Sequence, residues 1–109
     1  FSEIVERLMS SDKPPTAVLC FDYHTTLLLI QSLMRMGLTP GMQVSTIGFD
    51  APRTACAPRV TSINQPALEM GAIAANLLLE RISDPTLQPR TVRLSAQLEV
   101  GDTTGPPTT

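Results

Sequence analysis

Two apolar runs of this 109-residue chain end in the same dipeptide, Phe-Asp, and this repetition restricts the folds open to it. Residues 17–20 lead into Phe21-Asp22, and residues 44–48 lead into Phe49-Asp50. Short apolar runs without alternation are typical of strands buried on both faces of a parallel sheet. The 28 residues between the two aspartates suit one strand, one crossover helix and the next strand. Because ligands bind at the carboxyl edge of open α/β sheets, Asp22 and Asp50 are expected to face one cleft.

The rest of the chain continues this alternation of helices and strands. We expect helices over 1–11, 23–36 and 66–82, and strands over 17–20, 44–48, 60–63 and 92–100. The last strand alternates apolar and polar residues, so one of its faces is expected to be wet, as at a sheet edge. The pattern predicts an α/β fold with a doubly wound, mostly parallel sheet and flanking helices. Residues 1–100 would form part of one lobe, and residues 101–109, rich in Thr, Gly and Pro, a flexible tail.

Charge and cysteine content exclude several classes of protein. The net charge of −2 gives no electrostatic reason for this segment to bind nucleic acid or an anionic membrane. No apolar run is long enough for a membrane span, and the first residues do not resemble a signal peptide. Cys20 and Cys56 lack the spacing of a zinc site, so they are expected to be two unpaired thiols in a reducing cytoplasm or to pair as one disulfide. We therefore expect no metal and no cofactor.

Catalysis is not expected either. Two carboxylates at strand ends could act as acid and base, but no nucleophile and base pair, glycine-rich phosphate loop or histidine cluster accompanies them. The one histidine, His24, follows the first strand and is either a cleft contact or a solvated residue of the first helical turn. The sequence thus predicts a binding protein with no catalytic residues.

Each candidate binding residue has a structural alternative. Asp22 stands where a helix N-cap would, so it either binds ligand or only caps the helix. The sequence after Asp50 shows no clear start of a long helix that this carboxylate could cap. Ligand contact is therefore the favoured role of Asp50. Gln65 either faces the cleft or caps the helix that follows Pro66. Phe21 and Tyr23 either offer an aromatic face to a sugar ring or pack in the core.

Several dispersed blocks resemble the LacI/GalR family of bacterial transcription regulators. They occur in the family's order over roughly residues 1–105 and comprise Pro15-Thr16-Ala17, the position of Asp22, Gly37-Leu38, the run from Val44 to Asp50, the run from Thr61 to Pro66, and the run from Met70 to Ile82. The resemblance implies the C-terminal portion of a periplasmic-binding-protein-like effector domain. The DNA-binding module of such regulators lies nearer the N-terminus, outside this chain.

The resemblance also implies site residues. Asp22 stands where the family usually has Asn, Asp50 matches the family's Gly-Tyr/Phe-Asp signature, and Gln65 matches a position that faces the cleft in some members. The chain departs from the family at Asp22, at Tyr23 in place of Asp, and at Phe21 and Thr26 in place of smaller residues. Because the two carboxylates accept hydrogen bonds and repel anions, we expect a neutral sugar or nucleoside, or a cationic ligand, as effector.

The function implied is that of a cytoplasmic, homodimeric regulator whose effector controls operator binding allosterically. Residues 27–30 carry apolar side chains around the whole second helix, which suggests either a helix sandwiched within its own domain or a subunit interface. The family pairs through this helix and the loop after Asp50, which gives as interface residues Leu27, Leu28, Gln31, Thr54 and Ala57. The alternative is a fragment of a periplasmic sugar-binding protein of a transport system, which shares the two-lobed fold.

Overall fold

A computed structural model describes residues 1–52 and 58–107. The elements along the chain are α1 (Ser2–Met9), β1 (Ala17–Leu19), α2 (Tyr23–Arg35), β2 (Ser45–Phe49), β3 (Thr61–Asn64), α3 (Ala67–Ser83) and β4 (Gln97–Glu99). This order confirms the predicted alternation. None of the three helices has the length and apolar composition to cross a bilayer, so the described residues contain no candidate membrane-spanning helix.

The four strands form one sheet in the order β1-β2-β3-β4. β1 pairs with β2 in parallel, with Leu19 opposite Ile47, and β2 pairs with β3 in parallel, with Ile47 opposite Thr61. The mostly parallel α/β sheet is confirmed. The expectation that β1 is buried on both faces is wrong, because β1 lies at the edge of the sheet and Leu19 is 61% exposed.

The helices α1 and α2 contribute the core beneath the first two strands. Its buried members are Val5, Cys20, Leu29, Leu33 and Val44. Leu33 is completely buried, and Cys20 is a free thiol among these apolar side chains. Burial raises the pKa of the Cys20 thiol, which keeps it protonated and unreactive. Cys56, its possible disulfide partner, lies outside the described residues.

The end of α2 is set by Gly37, which has a φ of +76°. The Leu38 N–H donates to the Leu33 carbonyl at 2.9 Å, and the Gly37 N–H donates to the Met34 carbonyl at 3.0 Å. This pair of bonds is a Schellman motif, and glycine adopts its left-handed conformation without steric cost. The predicted glycine cap of this helix is confirmed.

The chain divides into two compact units and not into the single lobe expected for residues 1–100. The first unit comprises residues 1–64 and 98–109, and the second comprises residues 65–97. The second unit consists of α3 and the extended segment after it, and α3 has no buried residue. The apolar stripe of α3 does not show that this helix belongs to a separate unit. Helical periodicity identifies the apolar face of a helix but not the element that packs against it.

The last strand is shorter than the alternating pattern of residues 92–100 predicts. Only Gln97–Glu99 is a strand. A strand needs a ladder partner for its backbone groups, and residues 65–97, all of which are described, contain no other strand that residues 92–96 could join. Alternation therefore marks a segment able to form a strand, whereas the partner decides its length.

Residues 101–105, which we call the C-terminal strap, are part of the first unit and differ from the expected flexible tail. Thr103 is completely buried. Its hydroxyl donates to the Thr46 carbonyl at 2.6 Å and accepts from the Thr61 N–H at 3.0 Å. The Thr, Gly and Pro content of this segment suggests that it is exposed. Thr103 is buried because its hydroxyl forms hydrogen bonds with backbone groups of the strands, which would otherwise need water as a partner.

Candidate functional site

The carboxyl edge of the sheet brings polar residues of three strands together. Leu19, Ile47 and Thr61 occupy matched positions of β1, β2 and β3. Counting three residues on from each of them reaches Asp22, Asp50 and Asn64. The parallel register thus places the two predicted carboxylates at one edge, together with an amide side chain, as the spacing of the Phe-Asp dipeptides suggested.

Asp22 is the N-cap of α2. Its Oδ1 accepts from the Thr25 N–H at 2.6 Å, and its Oδ2 accepts from the Thr25 hydroxyl at 3.0 Å. The backbone hydrogen bond from Thr25 lowers the pKa of the Asp22 carboxyl, and the Thr25 hydroxyl and the nearby His24 act in the same direction. Asp22 is therefore an ionised acceptor at neutral pH. The capping role expected as one alternative is confirmed, and a carboxylate with two oxygens retains capacity for further donors.

Thr26 and Gly48 fix the start of α2 against β2. The Thr26 side chain is completely buried, and its hydroxyl donates to the Asp22 carbonyl at 2.6 Å. A Cβ at Gly48 would lie 2.9 Å from Thr26 Oγ1 and 3.1 Å from Thr26 Cγ2. Only glycine at position 48 leaves room for this threonine, so the pair determines how closely the N-cap approaches the second strand.

Asp50 has a left-handed backbone, with a φ of +52°. Aspartate tolerates this region better than most residues, but the conformation is uncommon outside glycine. The Asp50 N–H donates to the Ile63 carbonyl at 3.0 Å, which continues the β2–β3 ladder to the residue that turns away. The side chain is exposed at the carboxyl edge. Such conformations persist where surrounding bonds hold them, and they are enriched at binding sites.

A short hydrogen-bond chain links the residue after Asp50 to the end of β3. The Ala51 N–H donates to Ser62 Oγ at 2.9 Å, and the Ser62 hydroxyl donates to Asn64 Oδ1 at 2.7 Å. Ser62 is buried. The chain orients Asn64 and ties it to the turn that carries Asp50. Ser62 and Asn64 are not evident as edge residues from the sequence pattern; the register of the third strand is the signal that locates them.

The remaining predicted site residues differ in their surroundings. Phe21 is 80% exposed, so it is not the packed core aromatic that we considered as an alternative. Tyr23 is half-buried at the first position of α2, and His24 is exposed in the first turn. Gln65 is exposed and follows directly after β3. The N-cap position of α3 is Pro66, and the Ala67 N–H donates to the Gln65 carbonyl at 2.9 Å.

The residues predicted for a dimer interface lie partly on α2 and partly outside the described residues. Leu27 and Leu28 are half-buried, and Gln31 is exposed, on α2. Leu29 and Ile30 of the same apolar run are buried within the unit. Thr54 and Ala57 lie outside the described residues.

The chemistry available at the carboxyl edge is that of hydrogen-bond acceptors beside an exposed aromatic ring. Within residues 1–52 and 58–107, no group of three or more His, Cys, Asp or Glu side chains could hold a metal ion. Carboxylates accept hydrogen bonds from hydroxyl and amine groups and disfavour anions. The acceptors at this edge therefore favour donor-rich ligands over anions.

The depressed carboxyl pKa values predict how stability depends on pH. Hydrogen bonds from Thr25, Thr86 and Arg59 lower the pKa of Asp22, Asp84 and Asp102, respectively. Each group binds fewer protons in the folded than in the unfolded chain, so its stabilisation is present above the unfolded pKa of about 3.9 and is lost as the pH falls through the folded pKa. Thermal unfolding of the full-length protein should therefore move to lower temperature as the pH falls from 5 towards 3. Asp102→Asn should flatten this dependence, and equal slopes for variant and wild type would contradict the assignment.

Comparison with known proteins identifies the class that this fold represents. Residues 2–104 match the family model described as a periplasmic binding protein-like domain. Because the match extends over nearly the whole chain, the chain belongs to this family. Similar solved structures include LacI family transcriptional regulators.

Two curated relatives match most of this chain. The HTH-type transcriptional repressor PurR of Vibrio vulnificus is 35% identical over 100 residues, which cover 90% of this chain and 30% of the repressor. The catabolite control protein A of Priestia megaterium is 32% identical over 104 residues, which cover 94% of this chain and 31% of that protein. The chain thus spans about 30% of the length of the relatives it matches.

Solved structures agree with this placement. A LacI family transcriptional regulator from Enterococcus faecium with bound ribose is 28% identical, with a TM-score of 0.83, and the match covers 98% of this chain and 40% of that one. The transcriptional regulator CelR in complex with cellobiose is 26% identical, with a TM-score of 0.82, and the match covers 94% of this chain and 32% of that one. The periplasmic-binding-protein-like fold expected from the sequence is confirmed.

Proposed function

We propose that this chain is the effector-sensing part of a LacI-family regulator and that a small ligand binds at the carboxyl edge of its sheet. The observation that carries this proposal is the convergence of Asp22, Asp50 and Asn64 at the ends of three parallel strands, with Asp50 held in a left-handed conformation. Gln65, Tyr23 and Phe21 complete the proposed contacts. The remainder of the binding cleft would come from the parts of the full-length protein that precede this chain.

The ligand class follows from the acceptors at this edge. Two ionised carboxylates favour hydroxyl or amine donors and disfavour phosphates and organic acids. We therefore propose a neutral sugar or nucleoside, or a cationic ligand, and the exposed ring of Phe21 offers a surface for the apolar face of a sugar. The ribose and cellobiose present in two similar regulator structures support a sugar-like effector.

Titration calorimetry of the full-length protein tests this proposal. The ligands are ribose, cellobiose and adenosine, with ribose 5-phosphate as the matched anionic control. We expect at least one neutral ligand to bind and the phosphorylated sugar to bind more weakly than ribose. Binding of ribose 5-phosphate as tight as that of ribose, or tighter, would contradict the proposed ligand class.

The mechanism proposed is allosteric. The effector stabilises one relative orientation of the lobes, and a homodimer transmits that change to the paired operator-binding modules outside this chain. Such a regulator works in the cytoplasm and is not an enzyme. A sugar-binding protein of a transport system shares the fold, but the PurR repressors among the relatives favour the regulator.

Dimerisation is proposed to use the outer face of α2. Leu27, Gln31 and Met34 follow one another at helical spacing, and Met34 is 59% exposed, so they form one accessible stripe. Thr54 and Ala57 would contribute from the loop after Asp50.

Analytical ultracentrifugation should find the full-length protein dimeric. Leu27→Glu is expected to weaken the dimer at least about tenfold, since it would leave a charge buried in the interface. Met42→Glu, which changes an exposed apolar residue outside α2, is the matched control and should leave the dimer intact. A wild-type protein that stays monomeric at high micromolar concentration would refute the proposed interface.

A further inference from the structure

The last turns of α3 and the segment that follows them form a small surface cavity. Its volume is about 100 Å³, which is enough for several water molecules or for one small organic molecule. Every residue around it lies within residues 65–97, so the second unit forms the cavity by itself. The lining residues are Leu77, Glu80, Arg81, Leu87, Gln88 and Arg90.

A hydrogen-bonded turn after α3 brings the two sides of the cavity together. Asp84 Oδ1 accepts from the Thr86 hydroxyl at 2.6 Å and from the Thr86 N–H at 3.0 Å. The Leu87 N–H donates to the Asp84 carbonyl at 3.2 Å. An aspartate that bonds the backbone two residues further on is typical of such turns. Leu87, Gln88 and Arg90 therefore lie beside the last turns of the helix.

Two guanidinium groups at the cavity are held in place and still have donors to offer. Arg90 forms an ion pair with Glu80, and a guanidinium N–H of Arg81 donates to the Leu87 carbonyl at 3.3 Å. A guanidinium has five N–H donors, so each arginine keeps several for a further partner. Side chains that are already tethered lose less conformational entropy when a ligand binds.

The charges of the lining favour an anion. With Arg81 and Arg90 positive and Glu80 negative, the lining carries a net charge of +1. The second unit as a whole is neutral, because three acidic residues balance its three arginines. Guanidinium groups match the planar carboxylate with parallel N–H···O bonds, and one carboxylate supplies the single negative charge that the lining lacks.

Two leucines give the cavity an apolar part. Leu77 is half-buried, and Leu87 is 42% exposed. A ligand that covers these side chains removes apolar surface from water, which an inorganic ion cannot do. The lining therefore favours an anion that carries a short alkyl group.

We propose that this cavity is a binding site for a small organic carboxylate. The carboxylate group accepts hydrogen bonds from Arg81 and Arg90, and the alkyl group covers Leu77 and Leu87. The side-chain amide of Gln88 is a further donor at the same cavity. None of the side chains proposed to bind the effector takes part, so the proposal does not depend on the identity of the effector.

Ligand-observed NMR titration of the full-length protein with isobutyrate tests the proposed ligand class. Isobutyrate has one carboxylate and a short branched alkyl group. Isobutyramide has the same shape without the charge, and we expect it to bind about tenfold more weakly. Inorganic phosphate, which has no alkyl group, should also bind more weakly. No binding of isobutyrate, or equal affinity for isobutyramide or phosphate, would overturn the proposal.

Three substitutions at exposed positions test where the anion binds. Arg81→Gln removes a positive charge from the lining and should weaken isobutyrate binding about fivefold. Glu80→Gln removes the one negative charge and releases Arg90, so binding should tighten about threefold. Arg93→Gln is the matched control, since Arg93 belongs to the same segment but does not line the cavity, and it should leave Kd unchanged.

The opposite signs expected for Arg81→Gln and Glu80→Gln separate a specific site from a general loss of structure, which would weaken binding in both variants. Weaker binding in Glu80→Gln would overturn the proposal. Equal weakening in Arg81→Gln and Arg93→Gln would also overturn it, because attraction to the net charge of the segment would then explain the binding.

Discussion

Replacing Asp50 with asparagine in the full-length protein is expected to weaken effector binding by about 1.5–3 kcal/mol, or roughly 10- to 150-fold in Kd. Asparagine keeps the shape of the side chain and tolerates the left-handed backbone at this position, so the loss reports the charge. Calorimetry with the neutral ligand that binds the wild-type protein most tightly gives the measurement.

Asp12→Asn is the matched control for this change. It removes the same charge from an exposed residue that precedes β1 and does not follow the carboxyl end of a strand, and it should leave Kd unchanged. Unchanged affinity in Asp50→Asn would exclude Asp50 as a ligand contact. Equal weakening in both variants would point to net charge and not to a specific contact.

Leu33→Ala should lower the free energy of unfolding of this domain by about 2–5 kcal/mol. The Leu33 side chain is completely buried between α1, α2 and the first strands, so its removal leaves a cavity among the core residues Val5, Leu29 and Val44. Urea unfolding of the full-length protein, followed through the helical signal, should show a lower midpoint.

Met42→Ala provides the comparison, because Met42 is 68% exposed in the turn after α2. Its removal should change the free energy of unfolding by no more than about 0.5 kcal/mol. A loss for Leu33→Ala as small as that for Met42→Ala would mean that the core is not where the structure places it.

The carboxyl edge was accessible to prediction because its signals are local. Apolar runs of strand length predict β1 and β2. The sequence also shows a polar residue, Asp22 or Asp50, just after each of these runs. Asp22 was recognised as a possible N-cap because capping requires a side-chain acceptor just before a helix, whatever the tertiary fold. The glycine cap at Gly37 was predictable for the same reason.

The features that escaped prediction depend on contacts between distant segments. Nothing within residues 65–97 indicates that α3 lies in a different unit from the sheet, since an apolar stripe has the same period whatever it packs against. The burial of Thr103 depends on backbone groups of Thr46 and Thr61, which are more than 40 residues away. Its polar surroundings in the sequence suggested a tail, because composition does not report long-range hydrogen bonds.

The contact between Gly48 and Thr26 limits how this chain can diverge. An alanine at position 48 would press on both branches of the Thr26 side chain, whereas the same alanine beside an alanine at position 26 would meet only Val60 Cγ1, at 3.1 Å. The effect of a substitution at position 26 or 48 depends on the residue at the other position. The order in which the two substitutions occur therefore decides whether the intermediate protein folds. Among descendants of this sequence, positions 26 and 48 should therefore change together, with the smaller residue appearing on the helix first.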